Sequence, residues 1–557
     1  MSQLTGSGTG TYYVFTLVLS VSLVVTAATA DAAAAETPAV SHEAAAPSAA
    51  PPKKPTIEEL EQRIQLLEHK LEAQQQATAA LLKSAAAAQV AAGSVQSPAM
   101  AAQVGQITQN AKQVSDQRSV TEQSAASATV SNPQIFAGPG GFSFQSVDGA
   151  NQIRFHGEFD FDGRFYNDDL TPEGSRSVWL LRRARPIIEG TFANIFDFRF
   201  NPDFAGGKTV IQDAFVAARF NPLFVVTAGK FKVPFGLERL QLSPNNRFIE
   251  LGLPSDLVPN RDLGLQISGT YTYPTGTLVY QIGWFNGVND GVSTDATLTP
   301  DIENNDDKDW TARLFAQPFS KTDWAALRGL GVGIAASYVN QVGSPTNTLL
   351  PTYKTETQRN IFSYDGARIA STATPEAAAA YADGRRVRFS PQGYYYYKSF
   401  GFLTEYVGES QDVARTIGAG AAALMRRATV KPESWQLYGT FLLTGEAASF
   451  GTVKPNRPFV VGQPGWGAFE LAARVSELKL DAAIFINRSG DYTNSWFADP
   501  SAQASRAFAW TTGLNWYLNQ NVAWNLDCTV TNFDGGAKSG ADRANESAFF
   551  TRFQVAF

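Results

Sequence analysis

The stretch IRFHGEFDFDGRF, residues 153–165, alternates between two kinds of side chain. One face carries Ile153 and four phenylalanines, with Gly157 and Gly163 between them, and the other carries His156 and five charged residues. A strand of a soluble β-sandwich also alternates, but its apolar face is rarely so uniformly phenylalanine. An apolar outer face and a charged inner face are typical of a water-filled transmembrane barrel.

The same period continues through the rest of the chain. Residues 196–201 place three phenylalanines opposite Asp197, Arg199 and Asn201. Such alternating segments, each of about ten residues, are centred near residues 159, 184, 199, 214, 229, 268, 282, 313, 336, 392, 405, 439, 474, 512, 527 and 552. The predicted fold is all-β, a 16-stranded antiparallel transmembrane β-barrel over residues 135–557, with eighteen strands as the alternative count.

The connections test the strand count, because in such barrels long external loops alternate with short periplasmic turns. Tight turns are predicted near residues 193–194, 221–222, 274–276, 399–400 and 519–521. Long loops are predicted over residues 236–262, 287–307, 343–385, 410–433, 482–506 and 534–545. Two further connections, 320–328 and 446–466, are long for periplasmic turns.

The chain ends in FFTRFQVAF, residues 549–557, which again places apolar residues on one face and ends on Phe557. A terminal phenylalanine on an alternating last strand resembles the signal that the barrel-assembly machinery reads. We therefore predict two partners for the folded chain, this machinery and outer-membrane lipid.

Composition excludes several other classes of protein. No run of 18 apolar residues follows residue 30, so the main body has no predicted membrane helix, and a closed barrel is the other structure that crosses a bilayer. Cys528 is the only cysteine, which excludes an internal disulfide and a cysteine-based metal site. The net charge of −6 argues against nucleic-acid binding. No cofactor is predicted.

The N-terminal region differs in composition from the barrel. Residues 1–30 are predicted to be a signal peptide, because the apolar run at 12–25 is followed by an Ala-Thr-Ala pattern at 28–30. No Lys or Arg precedes that run, so the start is wrong or the signal is atypical, and a retained anchor is the alternative. Residues 31–55, rich in Ala and Pro, are predicted to be disordered.

Residues 56–83 are predicted to form a short α-helical coiled coil. Ile57, Leu60, Ile64, Leu67 and Leu71 recur at spacings of three and four, which is an a/d seam. The alternative is one amphipathic helix that packs locally. Residues 84–134 are predicted to be a flexible linker, with the whole N-terminal segment in the periplasm.

Five stretches resemble motifs of the phosphate-selective porin O/P family. They are VWLLRRARP (178–186), GKFKVPFGLE (229–238), WQLYGTFLLTGE (435–446), GAFELAARVSEL (467–478) and GLNWYLNQNV (513–522). The resemblance spans residues 141–557 and does not cover residues 1–134. It implies a homotrimer of sixteen-stranded barrels in the outer membrane of a Gram-negative bacterium, whereas the heptad seam favours two strands.

The resemblance also implies where anions bind. The third external loop of this family folds inward and narrows the pore, and here it is about residues 237–261, with Arg239, Arg247 and Arg261. Well-studied members line the pore with Arg and Lys and bind phosphate at the constriction. The function implied is passive diffusion of small anions, with a preference for phosphate.

Three arginines on the second strand are candidate anion ligands, because a planar guanidinium binds two phosphate oxygens at once. Arg182 and Arg183 match the paired arginines of the family. Strict alternation puts Arg183 and Arg185 on the lumen face but Arg182 toward lipid, which would cost roughly 2–4 kcal/mol at mid-depth. Either a bulge turns Arg182 inward, or it lies near the membrane interface.

The fifth strand carries Lys230 and Lys232, which are predicted to share the lumen face opposite Phe231 and to lead into the third loop. Arg199 is also predicted to face the lumen. The structural alternative is that these cations pair with acidic wall residues such as Glu189. The candidate anion-binding residues are Arg182, Arg183, Arg185, Arg199, Lys230, Lys232, Arg239, Arg247 and Arg261.

Two other functions compete with an anion channel, and a third role is compatible with it. A general or weakly selective porin would keep the scaffold without the preference, and the negative net charge supports it. An enzyme would need a nucleophile and a base, but only one of the three histidines, His156, lies in the barrel, and no G-x-S-x-G motif is present. The heptad segment would additionally serve as a periplasmic tether.

Overall fold

The protein is described by a computed structural model, which covers residues 133–557 apart from 168–176, 208, 288–306, 367, 372–373, 418–422 and 487–496. The predictions for residues 1–132, namely the signal peptide, the disordered segment, the coiled coil and most of the linker, lie outside the described residues. In the part of the chain that is described, no helix has the length and apolar character needed to cross a membrane.

Twenty-three strands occur in the described residues. In chain order they are β1 (Gln134–Gly138), β2 (Gly141–Gln145), β3 (Gln152–Tyr166), β4 (Val178–Phe192), β5 (Phe196–Asp203), β6 (Val210–Asn221), β7 (Phe224–Lys232), β8 (Arg261–Tyr273), β9 (Gly276–Phe285), β10 (Asp309–Gln317), β11 (Leu330–Val342), β12 (Thr352–Lys354), β13 (Asn360–Ser363), β14 (Arg368–Ser371), β15 (Thr374–Ala377), β16 (Tyr381–Tyr397), β17 (Phe400–Ile417), β18 (Leu424–Val430), β19 (Glu433–Leu442), β20 (Ala468–Lys479), β21 (Ala504–Tyr517), β22 (Val522–Gly535) and β23 (Glu546–Ala556).

Sixteen of these strands form the closed barrel. Strands β3 to β11, β16, β17 and β19 to β23 pair antiparallel with their neighbours. The barrel closes where β23 pairs with β3 from Ala548 opposite Tyr166 to Ala556 opposite Glu158. The prediction of a 16-stranded antiparallel barrel is therefore confirmed.

The alternation in β3 sets the two faces of the wall. Phe155, Phe159 and Phe161 are exposed on the outside, whereas Asp160 and Asp162 are fully buried inside. This is the predicted assignment of an apolar outer face and a charged lumen face. It follows from the period of two, because successive side chains of a strand point to opposite sides of the sheet.

One end of the barrel, the short-turn end, carries the connections from even to odd barrel strands. Ala193 and Asn194 there adopt positive φ values of 51° and 63°, the conformation of a tight hairpin turn. Residues 318–329 and 443–467 also connect strands at this end and are as long as predicted. The other end, the long-loop end, carries the remaining connections. The predicted loop 410–433 is shorter, because β17 continues to Ile417 and pairs with β18.

A hairpin of β1 and β2 precedes the barrel and was not predicted as a separate element. Strand β2 pairs with β3 from Phe142 opposite Phe155 to Gln145 opposite Gln152. The last residue, Phe557, donates its backbone N–H to the oxygen of Gly157. The hairpin therefore pairs with the part of β3 that extends beyond the end of the last strand.

The third long connection, residues 233–260, lies inside the barrel, and we call it the inserted segment. The N–H of Leu237 donates to Glu405 on β17, and the N–H of Ile249 donates to Asp527 on β22, each at 2.6 Å. The segment contains three short helical turns, Leu237–Leu240, Ser243–Asn245 and Leu253–Asp256. The inserted segment is thus held against the part of the barrel wall that faces β3 to β8 across the lumen.

A second connection, residues 343–380, also enters the barrel through the hairpin of β12 and β13. Glu356 accepts hydrogen bonds from Arg474 at 2.6 Å, Ser476 at 2.6 Å and Thr511 at 2.5 Å. Tyr353 and Phe362 stack and are fully buried. The sequence predicted only a long external loop here, because the contacts of Glu356 join residues more than a hundred positions apart.

Candidate functional site

A β-bulge in β4 turns two consecutive arginines toward the lumen. Arg183 pairs with Asp160 and Leu181 pairs with Phe161, so Arg182 is an additional residue without a position opposite it on β3. A bulge of this kind re-aims the following side chains. Nε of Arg182 lies 3.5 Å from the Glu250 carboxylate of the inserted segment. Of the two predicted alternatives for Arg182, the bulge is therefore the one found.

Arg183 and Arg185 also face the lumen, and both are buried and ion-paired. Arg183 donates to Asp160 at 2.5 Å, while Arg185 donates to Asp203 at 2.6 Å and to Glu158 at 3.4 Å. Buried arginines of this kind need such partners, because an uncompensated charge in a desolvated site is costly. Both arginines face the lumen, as predicted. Their pairing with acidic residues of the wall is the alternative to anion binding that was stated for them.

Three more cations face these arginines from the inserted segment and the adjoining strands. Arg239 donates to the backbone oxygen of Ser255 at 2.8 Å, and Arg261 donates to Asp213 at 2.7 Å. Lys232 donates to the backbone oxygen of Gln241 at 2.5 Å. These bonds fix the cations at the boundary between the barrel wall and the inserted segment.

Together these groups line a cavity of about 130 Å³, which we call the basic cavity. Its seven cationic side chains are Arg182, Arg183, Arg185, Lys232, Arg239, Arg261 and Lys354. Its acidic side chains are Glu250 and Asp256. Six of the nine predicted anion-binding residues therefore lie in one small space.

Lys354, the seventh cation, was missed by sequence reasoning. It lies at the end of β12 on the second inserted connection, and its N–H donates to Asp256 at 3.1 Å. Its neighbours Thr355 and Gln358 line the same cavity. Nothing in the local sequence distinguishes this loop lysine, because only the inward folding of the connection brings it to the site.

Arg247 does not line the basic cavity, contrary to the prediction. Its Nε lies 3.3 Å from Glu470, and its other nitrogens donate to the backbone oxygens of Asn245, Ser449 and Gly451. Burial opposes the charged form, but Glu470 outweighs it and raises the pKa of Arg247. Arg247 therefore fastens the inserted segment to the connection 443–467.

The predicted outward face of Phe231 in β7 is also wrong, whereas Lys232 of the same strand lines the basic cavity. Phe231 was placed toward lipid, but it is opposite Asp262 in β8 and packs against Phe215 and Phe285. Lys230 is buried beside Ala214 and Leu263 in the sheet and is not among the cavity-lining residues described for this structure. Gly229 in the same strand has a φ of 127°, a conformation that glycine tolerates.

Arg199 faces the lumen as predicted, but it lies in a neighbouring cavity. It donates to Glu189 at 2.6 Å and lies 3.4 Å from Asp213. This neighbouring cavity, the vestibule, has a volume of about 710 Å³ and reaches the turn Asn519–Val522 at the short-turn end. It shares Lys232, Ser243 and Arg261 with the basic cavity.

A third cavity, of about 260 Å³, continues the space toward the long-loop end. It shares Arg182 and Gln358 with the basic cavity, and it also contacts Ala205 and Gly206 in the connection after β5. The three cavities thus adjoin in series along the wall formed by β3 to β8. The basic cavity is the smallest of these three.

The two acids of the basic cavity differ in charge. Burial alone would raise the pKa of Glu250, but Arg164 and Arg182 outweigh it and lower that pKa, so Glu250 is ionised. Burial raises the pKa of Asp256 to about 8, despite the hydrogen bond from Lys354 and the nearby Arg239. At neutral pH the two acids of the cavity therefore carry one negative charge between them.

For ions that pass this cavity, the ratio of anion to cation permeability is expected to fall as the pH rises through about 8, because Asp256 is neutral below its pKa and negative above it. One added charge at about 6 Å from an ion in water changes its relative permeability roughly three-fold. Reversal potentials measured at pH 6.5 and 9 report this change. In Asp256→Asn the decline should disappear, and an equal decline in that variant would contradict the assignment.

The family comparison agrees with the barrel fold. The family model of phosphate-selective porin O and P matches residues 152–557. The outer membrane channel DcaP of Acinetobacter baumannii is 9% identical, with 74% of this chain and 99% of that chain covered and a TM-score of 0.44. The anion-selective porin from Comamonas acidovorans is 11% identical, with 73% of this chain and 100% of that chain covered and a TM-score of 0.40. The trimer form of OmpT from Vibrio cholerae is 12% identical, with 73% of this chain and 100% of that chain covered and a TM-score of 0.40. No curated protein matches the sequence.

Proposed function

We propose that this chain, which belongs to the phosphate-selective porin O and P family and is an outer-membrane channel, conducts small anions through the basic cavity and prefers phosphate. The observation that carries the proposal is the excess of Lys and Arg over acidic residues at the cavity of smallest volume among the three in series. A channel selects an ion by the charge and donors that it presents where full hydration is lost.

The charge of the basic cavity supports anions over cations. Seven Lys and Arg residues line the cavity, against the ionised Glu250 and the protonated Asp256. Arg182, Arg183 and Arg185 come from one strand, while Arg239 and Lys354 come from the two inserted connections. An anion in this space therefore meets positive groups from several directions, and a small cation meets repulsion.

The residue types support phosphate in particular. Five of the seven cations are arginines, whose planar guanidinium matches two oxygens of a phosphate. Ser243, Thr355 and Gln358 add neutral polar groups around the same space. Several weak contacts in series suit conduction better than one tight site, because the ion must leave as well as enter.

A general porin of weak selectivity is the second candidate, and the ion pairs favour it. Arg183, Arg185 and Arg261 each contact a carboxylate within 2.7 Å. Paired cations attract a passing anion less than the count of seven suggests. The chain as a whole also carries a net charge of −6.

Planar-bilayer recordings separate the two candidates. In a KCl gradient, the proposal expects a reversal potential of the sign given by chloride permeation, and phosphate added to the bath should reduce the chloride current. Cation selectivity would overturn the anion-channel proposal. Anion selectivity without any effect of phosphate would leave an anion channel and overturn the phosphate preference.

We also propose the assembly and the remaining boundaries. The expected channel is a homotrimer whose N-terminal segment, with a signal peptide over 1–30 and a coiled coil over 56–83, lies in the periplasm, followed by a barrel domain over 135–557. The terminal Phe557 would be read by the barrel-assembly machinery. Deleting residues 31–134 and measuring conductance and envelope association tests the tether, and unchanged association would remove it.

A further inference from the structure

The vestibule has an apolar wall that an inorganic anion does not need. Phe215 and Phe231 form its barrel side, with ring centroids 5.9 Å apart and an edge-to-face arrangement. Leu240 and Leu242 form its other side, on the inserted segment, and the side chain of Leu242 is 56% exposed. Apolar surface that is left in water is an unfavourable arrangement that a bound apolar group would relieve.

Cations lie at the inner end of this apolar wall. Lys232 follows Phe231 directly in β7, and Lys232 and Arg261 line both the vestibule and the basic cavity. A ligand whose ring lay against Phe215 and Phe231 would therefore present an attached anionic group to these two side chains.

The acids of the vestibule do not oppose such a ligand, because each already has a partner. Glu158 accepts a hydrogen bond from Ser243 at 2.6 Å. Glu189 accepts one from Arg199 at 2.6 Å, and Asp213 is bound by Arg261, as described above.

We propose that the vestibule is a binding site for amphiphilic organic anions, which carry an aromatic ring and a carboxylate or sulfonate group. The ring lies between the Phe215–Phe231 pair and Leu242, and the anionic group contacts Lys232 and Arg261. Ligand sites of 300–1,000 Å³ with apolar walls and few polar groups are typical for organic molecules, and the vestibule, at about 710 Å³, falls in that range. This inference rests on the proposed channel function.

The consequence is block rather than transport. The basic cavity beyond the vestibule has a volume of only about 130 Å³, so a ring held in the vestibule occupies the entrance to a space smaller than the vestibule itself. The ligand reaches the vestibule from the short-turn end, whereas from the long-loop end the basic cavity lies in its path. Block of the anion current is therefore expected from one face of the membrane.

Single-channel recordings with 1-naphthalenesulfonate test the site in the full-length protein. Chloride current is recorded first, and the compound is then added to each face in turn, with methanesulfonate as the matched anion that lacks a ring. The expected result is block by the naphthalene compound from one face only, and at least about ten-fold weaker block by methanesulfonate. Equal block from both faces, or equal block by both anions, would overturn the proposal.

Two variants localise the block. Leu242→Ser should raise the half-blocking concentration about five-fold, the change expected when roughly 40 Å² of apolar contact is lost. Val461→Ser, an equivalent polar change at an 87% exposed position of the connection 443–467, should leave it unchanged. An unchanged block in Leu242→Ser would overturn the site even if chloride selectivity is normal. A cation-selective current before any addition would instead overturn the proposed function.

Discussion

Replacing Lys354 with glutamate is expected to lower the anion-to-cation permeability ratio about ten-fold, and replacing it with glutamine about three-fold. Lys354 lines the basic cavity from the second inserted connection. One unit of charge at about 6 Å from an ion in water changes its free energy by roughly 0.7 kcal/mol, which is a three-fold change in permeability, and the glutamate variant changes the charge by two units.

A substitution at Lys354 changes the charge of the basic cavity without removing the hydrogen bond between residue 354 and Asp256. The backbone N–H of Lys354 holds Asp256, and that bond survives any substitution except proline. Lys321→Glu gives the same change of net charge on an exposed residue of the connection 318–329, far along the chain from the cavity residues. Reversal potentials in a salt gradient measure both variants. Equal shifts for Lys321→Glu and Lys354→Glu would show that the basic cavity does not control selectivity.

Replacing Arg552 with leucine is expected to lower the free energy of unfolding by about 3–5 kcal/mol. Arg552 on β23 donates two hydrogen bonds to Asp162, at 2.7 and 2.8 Å, and lies 3.7 Å from Asp160. It also donates to the backbone oxygen of Ile249 at 2.9 Å. All three charged groups are buried, so the leucine variant removes one buried cation that two carboxylates share and leaves Asp160 with Arg183 and Asp162 with Arg164.

The structural cause of this loss can be separated from a general effect of removing an arginine. Arg385→Leu removes a 69% exposed side chain whose nearest carboxylate, Asp412, is 3.6 Å away, and such exposed pairs contribute at most about 1 kcal/mol. Urea unfolding in detergent, followed by the mobility of folded and unfolded barrels on gels, measures both. A loss for Arg552→Leu no larger than that for Arg385→Leu would contradict the buried network.

The same substitution has a consequence for conduction. Arg552 joins the closing strand to the inserted segment through Ile249, where Asp527 holds the N–H of the same residue. We expect that any folded Arg552→Leu channel shows larger fluctuations of open-channel current, because one of the two bonds at Ile249 is lost. Arg552→Lys keeps the charge and should show an intermediate effect.

The strand pattern could be predicted far better than the site. The alternation in residues 153–165 predicted which side chains of β3 face outward, because successive side chains of a regular strand point to opposite faces of the sheet. In β7 the alternation did not say which face is inner, and Phe231, predicted outside because Lys230 and Lys232 were placed inside, lies opposite Asp262 and packs against Phe215 and Phe285. The rule of alternation was incomplete at Arg182, because a bulge adds one residue to one strand only. The sequence of β4 does not show at which of its residues β3 has no partner.

The membership of the basic cavity was only partly predictable. Arg239 and Arg247 lie eight positions apart on the same inserted segment, yet one lines the cavity and the other pairs with Glu470. Their local sequence gives no basis for this difference. It follows from the direction in which each short turn of the segment faces, and that depends on its contacts with β17, β20 and β22.

The sequence by itself therefore determined the barrel, its sixteen strands, the outer and inner faces of most strands and the two kinds of connection. These properties are local, since they depend on a period of two and on the residues that end each strand. Only the tertiary structure decided that Arg182 faces the lumen, that Lys354 joins the site and that Arg247 does not. Each of these depends on contacts between residues far apart in the chain, which the periodicity of a single strand does not encode.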